Sequence, residues 1–129
     1  MKNIALLVLI IGLALLSSAC QANTNGAGQA VETYLQALVD ENQERLLTTS
    51  CAEWEESAIL ELDSFKGVSA SLKDVSCEQT ASEGDTAIVH CSGSIEATYN
   101  NEQRQLPLEG RGYKVIQDQG NWLVCGIQE

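Results

Sequence analysis

VSCEQTASEGDTAIVHCSGSIEA, residues 75–97, decides the fold. Its apolar positions recur at every second residue. Val75 and Cys77 stand on one side of Ser82-Glu83-Gly84-Asp85, and Ala87, Val89, Cys91, Ile95 and Ala97 on the other. Successive side chains of a strand point to opposite faces, so this spacing predicts two strands, each with one buried face. The small, polar Ser-Glu-Gly-Asp stretch between them is turn chemistry, which makes the two strands an antiparallel hairpin. Gly93 keeps the same alternation.

Downstream, the pattern continues. Asn100 to Arg104 is a polar turn, and a third strand is expected from about Leu106 to Ile116, with Tyr113 and Val115 on one face. Pro107 falls near the start of that strand, where a missing N–H is tolerated. Asp118-Gln119-Gly120-Asn121 turns the chain into a last strand, Trp122 to Ile127.

Upstream of Val68 the period is helical. Val31, Tyr34, Leu35, Leu38 and Val39 follow i, i+3, i+4, i+7, i+8 and predict a helix from Ala30 to Val39. Asp40-Glu41-Asn42 interrupts it. A short second helix, Gln43 to Thr48, carries Leu46 and Leu47. Ser50-x-x-Glu53 has the spacing of a capping box and opens a third helix, on which Trp54, Ala58, Leu62 and Phe65 form a buried stripe with Ile59 beside it. Glu53, Glu55, Glu56, Glu61 and Asp63 read as its solvated face. Gly67 suits the left-handed residue after a helix end. The expected fold class is therefore α+β: three N-terminal helices packed on a curved four-stranded antiparallel meander sheet.

The first twenty residues read differently. Lys2 is a basic start, and Ile4 to Leu16 is apolar apart from Gly12. As a helix this run covers only ~20 Å, short of a ~30 Å hydrocarbon core, and so reads as a secretory signal. Ser17-x-Ala19 would suit ordinary signal peptidase. Leu15-Leu16-Ser17-Ser18-Ala19-Cys20 resembles a bacterial lipobox, with Ser17 where that pattern usually carries leucine. That resemblance implies a leader over residues 1–19 and acylation of Cys20, palmitate being one such acyl group. It further implies a cell-membrane or outer-membrane protein held by lipid on the extracytoplasmic side. Gln21 to Gln29 is small, polar and uncharged, so residues 20–29 read as a tether and residues 30–129 as one domain.

Five cysteines fit the lipobox: with Cys20 acylated, an even set of four remains. Cys77 and Cys91 each lie seven residues from Gly84 and should sit opposite one another. In a simple meander Cys125 lies two strands from Cys91, a gap of ~10 Å at ~4.8 Å per strand. A disulfide needs Cα atoms within about 7 Å. Within such a meander the pairs that survive are Cys77–Cys91 and Cys51–Cys125. No close C-x-x-C pair begins a zinc site, and an oxidising compartment disfavours a thiol catalyst. The whole chain carries a net charge of −11, which excludes nucleic acid as a natural partner.

The element order, with the closing pattern Tyr113-x-Val115 and Gly120-x-Trp122-x-Val124, resembles the cone fold of nuclear transport factor 2-like proteins. That family includes enzymes similar to ketosteroid isomerase and SnoaL. The resemblance implies a sheet curled around helices, often enclosing an apolar pocket. It also implies a function drawn from isomerase-type enzymes, inactive subunits, or ligand- or partner-binding modules.

An isomerase or dehydratase would need a carboxylate base and an acidic donor in one pocket. Tyr34, Tyr99 and Tyr113 are candidate donors; no base is evident, since Asp40 and Asp63 fall at helix ends. His90 alternates with Val89 and Cys91 and should face solvent. Trp54 and Trp122 read as core anchors. No catalytic residue, metal ligand or cofactor site is assigned. The expectation is a lipid-anchored binding or structural module for a small apolar ligand or an envelope protein, with a small pocket enzyme as the alternative.

Overall fold

The computed structural model describes residues 26–129. Cys20 and the leader lie outside the described residues. Helix α1 (Gly26–Val39) is followed by α2 (Gln43–Thr48), a single 3₁₀ turn (Ala52–Trp54) and α3 (Glu55–Ser64). The strands are β1 (Ser69–Glu83), β2 (Thr86–Tyr99), β3 (Glu102–Pro107), β4 (Gly112–Asp118) and β5 (Asn121–Gln128). The helices precede an antiparallel sheet, as the change of period implies.

The α1 stripe Val31, Tyr34, Leu35, Leu38 and Val39 is buried, and Ala27 extends it by one turn. The helix begins at Gly26, so Gly26–Gln29 is helical where the composition had pointed to tether. A Cβ at Gly26 would lie 3.1 Å from the Trp122 ring; glycine here lets the indole close over the start of the helix. Asn42 caps α2, its side chain accepting from Arg45 N at 3.0 Å. The expected capping box does not form. Ser50 is buried and its hydroxyl donates back to Leu46 O at 2.8 Å. Thr49–Cys51 has been drawn into a strand-like bridge on the edge of β5, with Cys51 N donating to Val124 O and Val124 N to Thr49 O, both at 2.8 Å. A backbone ladder bond outcompeted a local cap, and α3 starts only at Glu55.

The sheet has five strands rather than four. Its order is β1-β2-β4-β5, with β3 also paired to β2. The expected third strand is split in two. The first half of β2, Thr86–His90, pairs with β4, and the second, Ser94–Tyr99, pairs with β3. Pro107 therefore ends β3 instead of beginning a long strand. Between the halves, Leu108–Arg111 makes a corner. Leu108 is buried, its N–H donates to Gly93 O at 3.0 Å, and Gly93 N donates to the Glu109 carboxylate at 3.2 Å. Across β2 at the same level, Asp74 and Val75 on β1 face the single residue Gly93, which makes a bulge. Irregularities in neighbouring strands thus line up, and the sheet bends along that line.

The core lies between α1 and the concave face, filled by Tyr34, Tyr113, Leu35, Val89, Val115 and Val124. On the outer side of β1, Glu32 reaches from α1 and accepts from Cys77 N at 3.0 Å. A helix therefore covers part of an edge that would otherwise invite pairing.

Candidate functional site

Glu61 sits three residues after Ala58 and next to Leu62, both of them buried. Residues three and four apart share a helix face, so Glu61 turns toward the core with that stripe. This corrects its expected place on the solvated face; Glu53, Glu55, Glu56 and Asp63 do remain exposed. Tyr34 stands opposite on α1, fully buried, and its hydroxyl donates to Glu61 Oε2. Trp54, held by the 3₁₀ turn, donates from Nε1 to the Tyr34 oxygen at 3.1 Å. One hydrogen-bonded chain, Trp54–Tyr34–Glu61, links the turn, α1 and α3.

This chain ends on a cavity of about 160 Å³. Leu35 and Leu38 of α1, Phe65 after α3, Ile95 of β2 and Leu108 of the corner form its apolar walls. Glu61 and Tyr113 supply the polar end, and exposed Arg111 and Leu106 stand at the rim. Arg111 arrives there because the corner between β3 and β4 places it just ahead of inward-facing Tyr113.

The electrostatics follow from burial. Burial pushes the Glu61 carboxyl above the usual carboxylate range, against the opposing pull of the Tyr34 hydrogen bond and the Arg111 charge. Burial also pushes the Tyr34 hydroxyl far up, and the negative charge of Glu61 adds to it. Tyr113 is raised by burial too, with Arg111 opposing. The arrangement keeps both tyrosines protonated as donors and makes the ionised form of Glu61 costly.

That cost has a testable sign. Below the unfolded-state carboxylate range Glu61 is protonated in both states. As pH rises, the unfolded chain loses its proton first, so the folded state loses stability until the folded carboxyl also ionises. Glu61→Gln keeps an acceptor for Tyr34 and cannot ionise. It is expected to be more stable than wild type at pH 7, with the gain gone at pH 4, in urea melts of the two proteins at both pH values. A gain of equal size at pH 4 would show that Glu61 ionisation is not the cause.

The other sequence candidates lie elsewhere. Cys77 and Cys91 are bonded across β1 and β2 with Cα atoms 4.1 Å apart. Cys51 and Cys125 are bonded across the β5 edge with Cα atoms 5.0 Å apart. Two disulfides fit an oxidising, extracytoplasmic compartment. Tyr99 is 62% exposed, remote from any donor role. Asp40 accepts from Gln36, and Asp63 pairs with Lys66 at 2.5 Å on the surface. His90 is exposed, its Nδ1 lying 2.7 Å from Thr80 Oγ1. Trp122 is only half-buried and covers the start of α1. A wider cleft of about 440 Å³ lies there, between α1 and the β4–β5 turn. It is open and lined by no buried ionisable group. Among the described residues no cluster of His, Cys, Asp and Glu could hold a metal ion, and no helix is long and apolar enough to cross a membrane.

The sequence matches no family model and no curated protein. Solved structures do resemble the chain. A designed nuclear transport factor 2-like protein matches 78% of this chain and 92% of its own, at 13% identity and a TM-score of 0.50. The helical cell shape determining protein Pgp2 of Campylobacter jejuni matches 77% of this chain at 13% identity and a TM-score of 0.51. There the match spans 38% of that protein's length. These likenesses are to a fold: helices followed by a curled antiparallel sheet, in the manner of nuclear transport factor 2-like proteins.

Proposed function

We propose that this chain is a lipid-anchored, extracytoplasmic binding module whose cone holds a small ligand in the Glu61 cavity. One observation carries the reading: a cavity with apolar walls from Leu35, Leu38, Phe65 and Ile95 that ends on the half-buried, hydrogen-bonded Glu61 carboxyl group and carries an arginine at its rim. Ligand sites are mostly apolar with a few convergent polar groups, and a carboxyl shifted by burial in a cleft marks a candidate site. The cavity is smaller than a typical drug-sized site, which limits the ligand to a compact molecule.

Native mass spectrometry of protein purified from its own host tests the binding reading. Wild type should carry a small-molecule adduct, and Leu106→Trp, which fills the rim from an exposed position, should not. An adduct on neither protein, or equally on both, would refute the cavity as the binding site. The anchor is tested by fatty-acid labelling in cells. Wild type should incorporate label and Cys20→Ala should not; equal incorporation would refute acylation at Cys20.

A second reading, an isomerase- or dehydratase-type pocket enzyme, is favoured by one specific feature. The raised Glu61 carboxyl faces the same cavity as the protonated Tyr113 hydroxyl, so a base and a donor converge. The two readings part in D₂O. An enzyme that moves a proton on carbon would exchange ligand C–H for C–D, whereas a binding module returns its ligand unlabelled.

A further inference from the structure

We propose that the Glu61 cavity recognises a compact apolar zwitterion, an aliphatic amino acid or a close analogue, with its ammonium at Glu61 and its carboxylate at Arg111. This deepens the binding reading above and rests on it. The first observation is a carboxyl group and a guanidinium on the walls of one cavity that do not meet. Glu61 and Arg111 influence each other electrostatically, yet among the described residues they form no ion pair within 4 Å. Glu61 Oε2 is occupied by Tyr34, and within the described residues no side chain donates to Oε1. An acceptor and a cation therefore face the same small space from α3 and from the corner before β4, each with capacity for a ligand.

The second observation is the match of charge. An anion alone would meet Arg111 but also the Glu61 carboxylate and the field of a chain of net charge −11. A cation alone would meet Glu61 and be repelled by Arg111. A zwitterion satisfies both walls, and burying each charge against an opposite one avoids leaving a desolvated charge unpaired. The third is size. At about 30 Å³ per water the cavity holds on the order of five waters. Leu35, Leu38, Phe65 and Ile95 offer apolar contact for a short branched chain. A sterol or a long acyl chain would have to extend past the rim into solvent.

Isothermal titration at low salt tests the proposal with four probes: L-leucine, D-leucine, isovalerate and 3-methylbutylamine. At least one leucine enantiomer should bind tenfold or more tightly than isovalerate and than the amine. Glu61→Gln should erase the advantage over isovalerate, and Arg111→Gln the advantage over the amine. Arg111 is exposed, so its replacement leaves the core intact. If isovalerate or the amine binds as tightly as leucine, or if both variants keep the preference, the ligand class is wrong. If no probe binds while the native adduct is present and lost in Leu106→Trp, the class is again wrong and the binding module stands. If no probe binds and no adduct is found, both readings fail together.

Discussion

Replacing Cys51 and Cys125 together by alanine is expected to cost about 4 kcal/mol, more than the ~3 kcal/mol for replacing Cys77 and Cys91. The difference comes from the unfolded chain. The first bond joins residues 74 apart in sequence and the second residues 14 apart. A cross-link over a longer loop removes more conformations from the unfolded ensemble, roughly as 1.5R ln n. The native backbone contacts do not separate the two pairs. Cys77 and Cys91 face each other in a ladder that stays paired without them. Cys51 is likewise bridged to β5 through its own backbone, so neither loss opens the fold directly. Small domains have only about 5–15 kcal/mol to lose. A 4 kcal/mol loss should therefore lower the melting temperature by roughly 15–25 °C. Urea melts of the two double variants under non-reducing conditions give the ordering. A larger loss from the Cys77–Cys91 pair would overturn the loop-length argument.

How Cys77 comes to face Cys91 shows what a sequence can and cannot tell. Centring the turn on Gly84 pairs these two residues, and they are paired. The turn is in fact the two residues Gly84-Asp85, with Glu83 opposite Thr86. Continued without interruption, that register would set Cys77 opposite Ser92. An extra residue on β1, Thr80, shifts the ladder by one between Gln79 and Ala81 and restores the pairing. No glycine marks the bulge at Thr80, so Cys77 reaches Cys91 through an offset that the residue spacing does not reveal. Cys125 depends on the same device. Lys114 pairs with Gly126 and Val115 with Val124, leaving Cys125 as the extra residue of a bulge. A bulge re-aims a side chain, and here it turns the sulfur toward Cys51 at the sheet edge.

Helices and strands were legible because one face of each is buried and burial imposes a period. α2 has the bounds its two leucines implied. The split of the third strand shows in the sequence only as a change of parity: Leu106 and Leu108 fall on even positions and Tyr113 and Val115 on odd ones, so one uninterrupted strand cannot turn all four to the same face, and the chain must break near the glycine at 110. Gly110 adopts φ 89°, a conformation that glycine accepts without strain. The site failed to show for a related reason. Charge points Glu61 to the solvent face, whereas its spacing from Ala58 and Phe65 puts it on the buried stripe. A carboxylate on an apolar stripe is the signal that could have found the site, with Tyr34 on the α1 stripe as its partner. Arg111 had no such signal, since only the corner brings it to the cavity.

Gly93→Ala should be among the most damaging single substitutions in the domain, costing about 4 kcal/mol or more. Two effects combine. Gly93 has φ 90°, where an L side chain is strained by roughly 1–3 kcal/mol. An added Cβ would also lie 2.4 Å from Asp74 O and 2.6 Å from Lys73 O. Those are backbone atoms of the β1 bulge, so no side chain can swing away, and the bend itself must open. Gly84→Ala is the control. Its φ is 59° and nothing lies within 4 Å of the new Cβ, so only the conformational cost of roughly 1–2 kcal/mol remains. Chemical denaturation of the two variants should separate them by several kcal/mol, and equal losses would show that the close approach at Gly93 relaxes freely. The damage should also reach the cavity. Gly93 O holds Leu108 N, and Gly93 N holds the Glu109 carboxylate. These two bonds fix the corner that carries Leu108 into the cavity wall and Arg111 to its rim. Where Gly93→Ala still folds, it should therefore weaken binding at the Glu61 cavity more than Gly84→Ala does. The bend in the sheet is the same element that sets the cavity's wall and rim.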